Sequence, residues 1–282
     1  MQSLIKYIIK LCRVAAKTPL FLYLRTLFDF YPPAINVKYS EVCSDLFIWR
    51  DVSSWDTYFN ITHLGPILNP HFIKEYDAII EVYNSHGNAV GRKKINLVFG
   101  ESYLLYINDL LVDCKEKHTD GTFAVFHLVD LKELLDNMRV CVMERGFVSY
   151  KRKADISKLR SYTHANIHAV GFCLRKNQSR LLGVAQKTKK YYRQQLDLVD
   201  SFSSEIILIN FLSSDALVGV YQYKENLRVN LAEIIIPPGG LTLLKSTSDF
   251  DPQFPIELES NMNFLRPVIF KYYKNHFDVL HG

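Results

Sequence analysis

The chain has 282 residues, 48% hydrophobic and 13% aromatic, with a formal charge of only +5. That length allows two domains of ordinary size, each able to bury a core. With 12 Gly and 10 Pro, the composition excludes a low-complexity chain. The five cysteines, Cys12, Cys43, Cys114, Cys141 and Cys173, are odd in number and scattered, which excludes a disulfide framework and a clustered zinc pattern. Free thiols and the lack of a secretory leader predict a cytoplasmic protein. The sequons at Asn60 and Asn177 are then chance matches.

The small net charge hides an asymmetry. Residues 1–30 carry Lys6, Lys10, Arg13, Lys17 and Arg25 against Asp29. Residues 141–193 hold thirteen Lys or Arg against Glu144 and Asp155, so the rest of the chain is acidic. Basic zones of this kind favour anionic partners.

Residues 1–33 read as a basic amphipathic helical segment. Lys6, Lys10, Arg13 and Lys17 recur at helical spacing, with Leu4, Ile5, Ile8, Leu11, Cys12 and Ala15 opposite. Thr18-Pro19 caps a second apolar stretch, which Tyr31-Pro32-Pro33 stops. Charges break the segment too often for a transmembrane span. It is expected to rest on a membrane interface through residues 1–30, making peripheral contact with lysines among the headgroups, or to pack on the body of the protein.

Residues 40–150 read as a first β-sandwich-like domain. Strands are predicted at 44–50, 57–61, 78–83, 122–127 and 147–150, and Ser85-His86-Gly87-Asn88 makes a hairpin turn. A short helix is predicted after Asp130, from Leu131, Leu134, Leu135 and Met138. A charged connector, Lys151 to Asp155, follows. Residues 159–282 read as a second β-sandwich-like domain, with strands at 159–172, 191–196, 206–210, 217–223, 231–236, 241–244 and 267–272, and a Pro237-Pro238-Gly239-Gly240 turn.

An internal repeat ties the two together. Shifting the numbering by 138 places Ala78-Ile79-Ile80-Glu81-Val82-Tyr83 on Ala216-Leu217-Val218-Gly219-Val220-Tyr221, Leu97-Val98 on Ile235-Ile236 and Leu105 on Leu243. Residues 277–281 also echo 147–151. The expected fold is therefore mainly β, two tandem β-sandwich-like domains after an N-terminal helical segment.

No GxGxxG, GxxxxGK[ST], HExxH or GxSxG motif is present, so nucleotide-loop, zincin and nucleophile-elbow chemistry have no support. One row stands out. If residues 159–172 form one strand, Arg160, Tyr162, His164, Asn166 and His168 share a face. Arg offers a planar fork for carboxylate or phosphate, Asn and His offer donors and acceptors, and Tyr offers a stacking plane. Two histidines four apart on a strand lie ~13 Å apart, too far to share a metal ion. Trp49 and Trp55, flanked by Arg50, Asp51 and Asp56, could stack on a sugar or fill a core.

The expectation is a non-enzymatic protein, without metal or cofactor, that binds an acidic glycan, a surface-polysaccharide precursor or another polyanion near a membrane. The alternatives are a glycan-active enzyme using His164 or His168, and a nucleic-acid-binding protein acting through residues 141–193.

Overall fold

The computed structural model describes residues 42–111, 115, 118–129, 146–154, 160–163, 167–170, 174–175, 178–179, 187–196, 198, 201–210, 215–225, 227–262 and 266–281. The expectations for residues 1–33, for the helix after Asp130 and for His164 and Asn166 lie outside these. Among the described residues the fold is mainly β, built on four antiparallel sheets.

The first sheet has the order β4-β3-β6-β1-β9: Ala89–Leu97, Tyr76–Tyr83, Gly121–Leu128, Val42–Trp49 and Ile167–Val170. The second has the order β5-β2-β7-β8: Ser102–Tyr106, Trp55–Thr62, Gly146–Arg152 and Ser161–Thr163. Strict alternation sets the strand faces. In β2, Trp55, Thr57, Phe59 and Ile61 are buried while Asp56, Tyr58, Asn60 and Thr62 are not. The two sheets meet through Phe59, which lies 4.7 Å from Phe47 and 5.3 Å from Phe123. The far face of the first sheet, with Leu46, Ile48, Ile79 and Phe126, is buried as well.

The third sheet runs β12-β17-β14-β15: Lys187–Leu196, Ile256–Met262, Ala216–Lys224 and Leu227–Ile236. The fourth runs β16-β13-β18-β19: Leu241–Lys245, Ser203–Ile209, Val268–Tyr272 and Phe277–His281. A short ladder, β10 (Leu174–Arg175) with β11 (Gln178–Ser179), stands apart. The third and fourth sheets share a core that includes Val218, Val220, Ile256 and Leu258 with Ile206, Leu208 and Ile269.

The fourth sheet is buried on both faces along its central strands, β13 and β18. Its alternate residues Ile207, Ile209, Val268, Phe270, Phe277 and Val279 belong to the core of the first two sheets. Two turns lock the same boundary. The Leu241 amide donates to the Ser85 carbonyl, and Gly87 (φ +79°) sits so close to the next turn that a Cβ there would lie 2.1 Å from the Pro238 oxygen. Only glycine fits both the backbone and the space.

One predicted element is corrected. The strand expected at 159–172 is two strands in different sheets. Ser149 and Tyr150 pair with Tyr162 and Ser161, whereas Asp45 and Leu46 pair with His168 and Ile167. Both strands hydrogen-bond to strands of the first two sheets, β8 to β7 and β9 to β1. Long-range pairing to β7 and β1 decides this, and local alternation cannot report it.

A candidate ligand face on the second sheet

The open face of β5-β2-β7-β8 gathers aromatic and cationic side chains. Register places Tyr106, Tyr58, Ser149 and Tyr162 in one row across the four strands, and Leu104, Asn60 and Phe147 in the next. Tyr162 is 59% exposed and Leu104 60% exposed. Tyr58 and Tyr106 lie 5.0 Å apart at 30°. Ser149 is buried between Tyr58 and Tyr162, so the row dips by one small residue between two rings.

Cations border the rings. The Arg160 guanidinium lies 4.0 Å over the centre of the Tyr58 ring, a cation–π contact that holds its fork at the surface. Lys151 shares the face opposite Asp56, and Lys153 lies 3.7 Å from Asp56. The Tyr106 hydroxyl donates to Asp56 at 2.6 Å. Burial, then that hydrogen bond and the carboxylate charge, push the Tyr106 hydroxyl well above the ordinary tyrosine range, so Tyr106 stays neutral.

Of the residues singled out in the sequence, Arg160 and Tyr162 meet on this face. His168 does not join them, since its strand belongs to the first sheet. The described members of the predicted row thus divide between two sheets, and Arg160 and Tyr162 share their face with Tyr58, Tyr106, Leu104, Phe147 and Lys151 from three other strands. The polar alternation Asp56, Tyr58, Asn60 against apolar Trp55, Phe59, Ile61 was the available sequence signal for it.

Trp49 and Trp55 are buried, so neither presents a ring to a ligand. The Trp49 Nε1–H donates to the Tyr83 carbonyl at 2.8 Å. Its indole lies against Gly121, where a Cβ would come within 2.5 Å of the ring. Trp55 lies at the junction between the two halves, 5.6 Å from Phe270 and 5.0 Å from Phe277.

The same junction buries a charge. Arg50 hydrogen-bonds through Nε to Asp120 (3.0 Å) and through Nη2 to Glu205 (2.6 Å). Its guanidinium lies 4.8 Å from the Trp55 ring and 4.2 Å from Phe270. The Tyr272 hydroxyl donates to the same Glu205 oxygen at 2.6 Å. Burial alone would lower the Arg50 pKa, but Asp120, Tyr272 and Glu205 outweigh it and hold the side chain firmly charged. Tyr272 is itself driven upward by burial and stays protonated. Arg50 and Asp120 are buried and Glu205 and Tyr272 partly so, and the cluster joins the two halves.

Elsewhere the third sheet carries Arg228 over Tyr221 at 3.4 Å, bonded to Glu257 and Glu259, with Arg193 also on Glu259. An open depression of about 410 Å³, bordered by Gln222, Lys224, Asp249 and Asp251, lies in the same half. Its polar groups are internally bonded: Gln222 donates to the Asp251 carbonyl, and Asp249 accepts from the Lys245 amide. Among the described residues no helix is long and apolar enough to cross a membrane. No protein-family model matches the chain, and no curated protein matches it.

Proposed function

We propose that the chain is a non-enzymatic binding protein that holds an acidic glycan, or a polyanion of like chemistry, on the open face of β5-β2-β7-β8. The observation that carries this reading is the Arg160 guanidinium 4.0 Å over the Tyr58 ring beside the exposed Tyr162. Sugar rings stack on tyrosine faces, and a guanidinium fork pairs with a carboxylate or sulfate in bidentate fashion. Lys151 and Lys153 supply further positive charge at the border.

Calorimetric titration of the full chain with a uronate-bearing oligosaccharide, its neutral counterpart and a single-stranded oligonucleotide tests this. The acidic sugar is expected to bind, and to bind less well as salt rises. Arg160→Ala should weaken it by about 1–3 kcal/mol, and Tyr162→Ala should also weaken it. Tighter binding of the oligonucleotide would favour the nucleic-acid reading, since tyrosines edged by cations also suit stacked bases. No response to any of the three overturns the proposal.

We read the body that carries this face as two related β-sandwich units in tandem. What supports this is strand order. Substituting β12 to β19 for β1 to β8 turns β4-β3-β6-β1 into β15-β14-β17-β12, and β5-β2-β7-β8 into β16-β13-β18-β19. The register shift between Val82 and Tyr83 recurs between Val220 and Tyr221, at the 138-residue offset.

Residues 1–33 complete the proposal as a basic helical segment that brings the protein to an anionic surface. Replacing Lys6, Lys10, Arg13 and Lys17 with alanine in the full chain should reduce cosedimentation with phosphatidylserine vesicles. Equal cosedimentation leaves the segment a packing role on the body of the protein.

A further inference from the structure

Two edge strands occupy matching places in the first and third sheets and differ in chemistry. The β4 edge carries Arg92, Lys93 and Lys94 in succession, all exposed, and adjacent charge is a standard guard against edge pairing. The β15 edge, Leu227–Ile236, has ten residues and only Arg228 and Glu233 as charges. Leu227 is 69% exposed, Ile235 64% and Val229 39%. Among the described residues, no strand hydrogen-bonds to β15 on its outer side. A long, apolar, unguarded edge is a template for strand addition.

We infer that β15 pairs antiparallel with β15 of a second copy, making one continuous sheet across a two-fold axis. The sequence of the strand is self-complementary in one register. Centring the axis between Asn230 and Leu231 sets Arg228 opposite Glu233 of the second copy, Val229 opposite Ala232 and Leu227 opposite Ile234.

This register also keeps every such pair on one face. Arg228 pairs with Tyr223 and Glu233 with Gly219, so both lie on the outer face. Val229 pairs with Gln222, Ala232 with Val220, Leu227 with Lys224 and Ile234 with Val218, so all four lie on the core-facing side. The match exists because the bulge opposite Val220 and Tyr221 inserts Leu231 and shifts the alternation midway. The charges fit as well. Arg228 uses Nε and Nη2 on Glu257 and Glu259, which leaves Nη1 for a carboxylate across the edge. A closed two-fold also explains how such an edge avoids open-ended stacking, because pairing consumes it.

Sedimentation equilibrium of the full chain across a concentration series tests the inference. The expected mass approaches twice 32.7 kDa at high concentration. Val229→Lys, which buries a charge in the pairing, and Glu233→Lys, which faces Arg228 with a like charge, are each expected to weaken dimerisation at least tenfold. Both sites are exposed, so circular dichroism should report an unchanged fold, and two chemically different variants keep the test informative if one misfolds. Hydrogen exchange supplies an independent reading: β15 amides should gain protection as concentration rises, and β4 amides should not. A single-chain mass throughout the series overturns the inference. So does a dimer indifferent to both substitutions, or one whose protected edge is not β15.

Discussion

Replacing Arg50 with alanine is expected to destabilise the protein by about 3–5 kcal/mol, measured by urea unfolding at neutral pH. The cost comes from what is left behind. Asp120 and Glu205 would remain largely buried without their shared cation, and Trp55 and Phe270 would lose the plane between them. Arg50→Lys should recover little, because an ammonium cannot hold two carboxylates in fork geometry and stack flat at the same time. The effect should depend on pH. Burial by itself raises the Glu205 carboxyl; Arg50 and the Tyr272 hydroxyl reverse that and hold it below its ordinary value. A carboxyl depressed by folding contributes fully above its unfolded pKa of roughly 4.3, and that contribution disappears as pH falls through the lower folded value. The stability gap between wild type and Glu205→Gln should therefore be widest at neutral pH and close below about pH 4. A gap that holds constant from pH 7 to pH 3 would mean Glu205 contributes no net charge interaction.

Most strands were legible because one face of each is buried and the period of two is visible in the residues. Leu217 to Tyr223, in β14, is the clearest, whereas Ala78 to Tyr83, in β3, is buried on both faces and shows as an apolar run. Others were not legible. Ile256–Met262 reads as a polar stretch, yet β17 sits between β12 and β14. Its Glu257 and Glu259 face outward to Arg228 and Arg193, and Ser260 hydrogen-bonds to the Leu217 carbonyl. Those partners are 29 to 66 residues away in sequence, beyond the reach of local pattern. The echo between 277–281 and 147–151 also misleads. In the tandem reading proposed above, strand order matches β19 to β8 and β18 to β7. Of the candidate ligand face, the sequence pointed to Arg160 and Tyr162 but joined them to His168. Charged neighbours left open whether Trp49 and Trp55 stack on a sugar or fill a core. In the fold, Gly121 opens a slot for one indole, and a sheet more than a hundred residues away covers the other.

Phe270→Ala should show whether the two halves unfold as one. Phe270 belongs to β18, yet its ring meets Trp55, Tyr150 and Arg50, all from the first half. Truncating a fully buried phenylalanine costs about 3–5 kcal/mol, and here the loss falls on the junction rather than on either core alone. The Arg50 cluster, the Phe270 contacts and the Ser85–Leu241 hydrogen bond all cross that boundary. A boundary this tightly tied predicts a single calorimetric transition for the wild type. In Phe270→Ala the transition should move down and broaden toward two, as the coupling between halves falls relative to their own stabilities. The Arg50→Ala and Phe270→Ala losses should also fall short of additive, because each removes part of the same contact and residues in direct contact couple by about 0.5–3 kcal/mol. Additive losses, together with one sharp transition in every variant, would show that Phe270 stabilises the second half alone and that the junction does not couple the two.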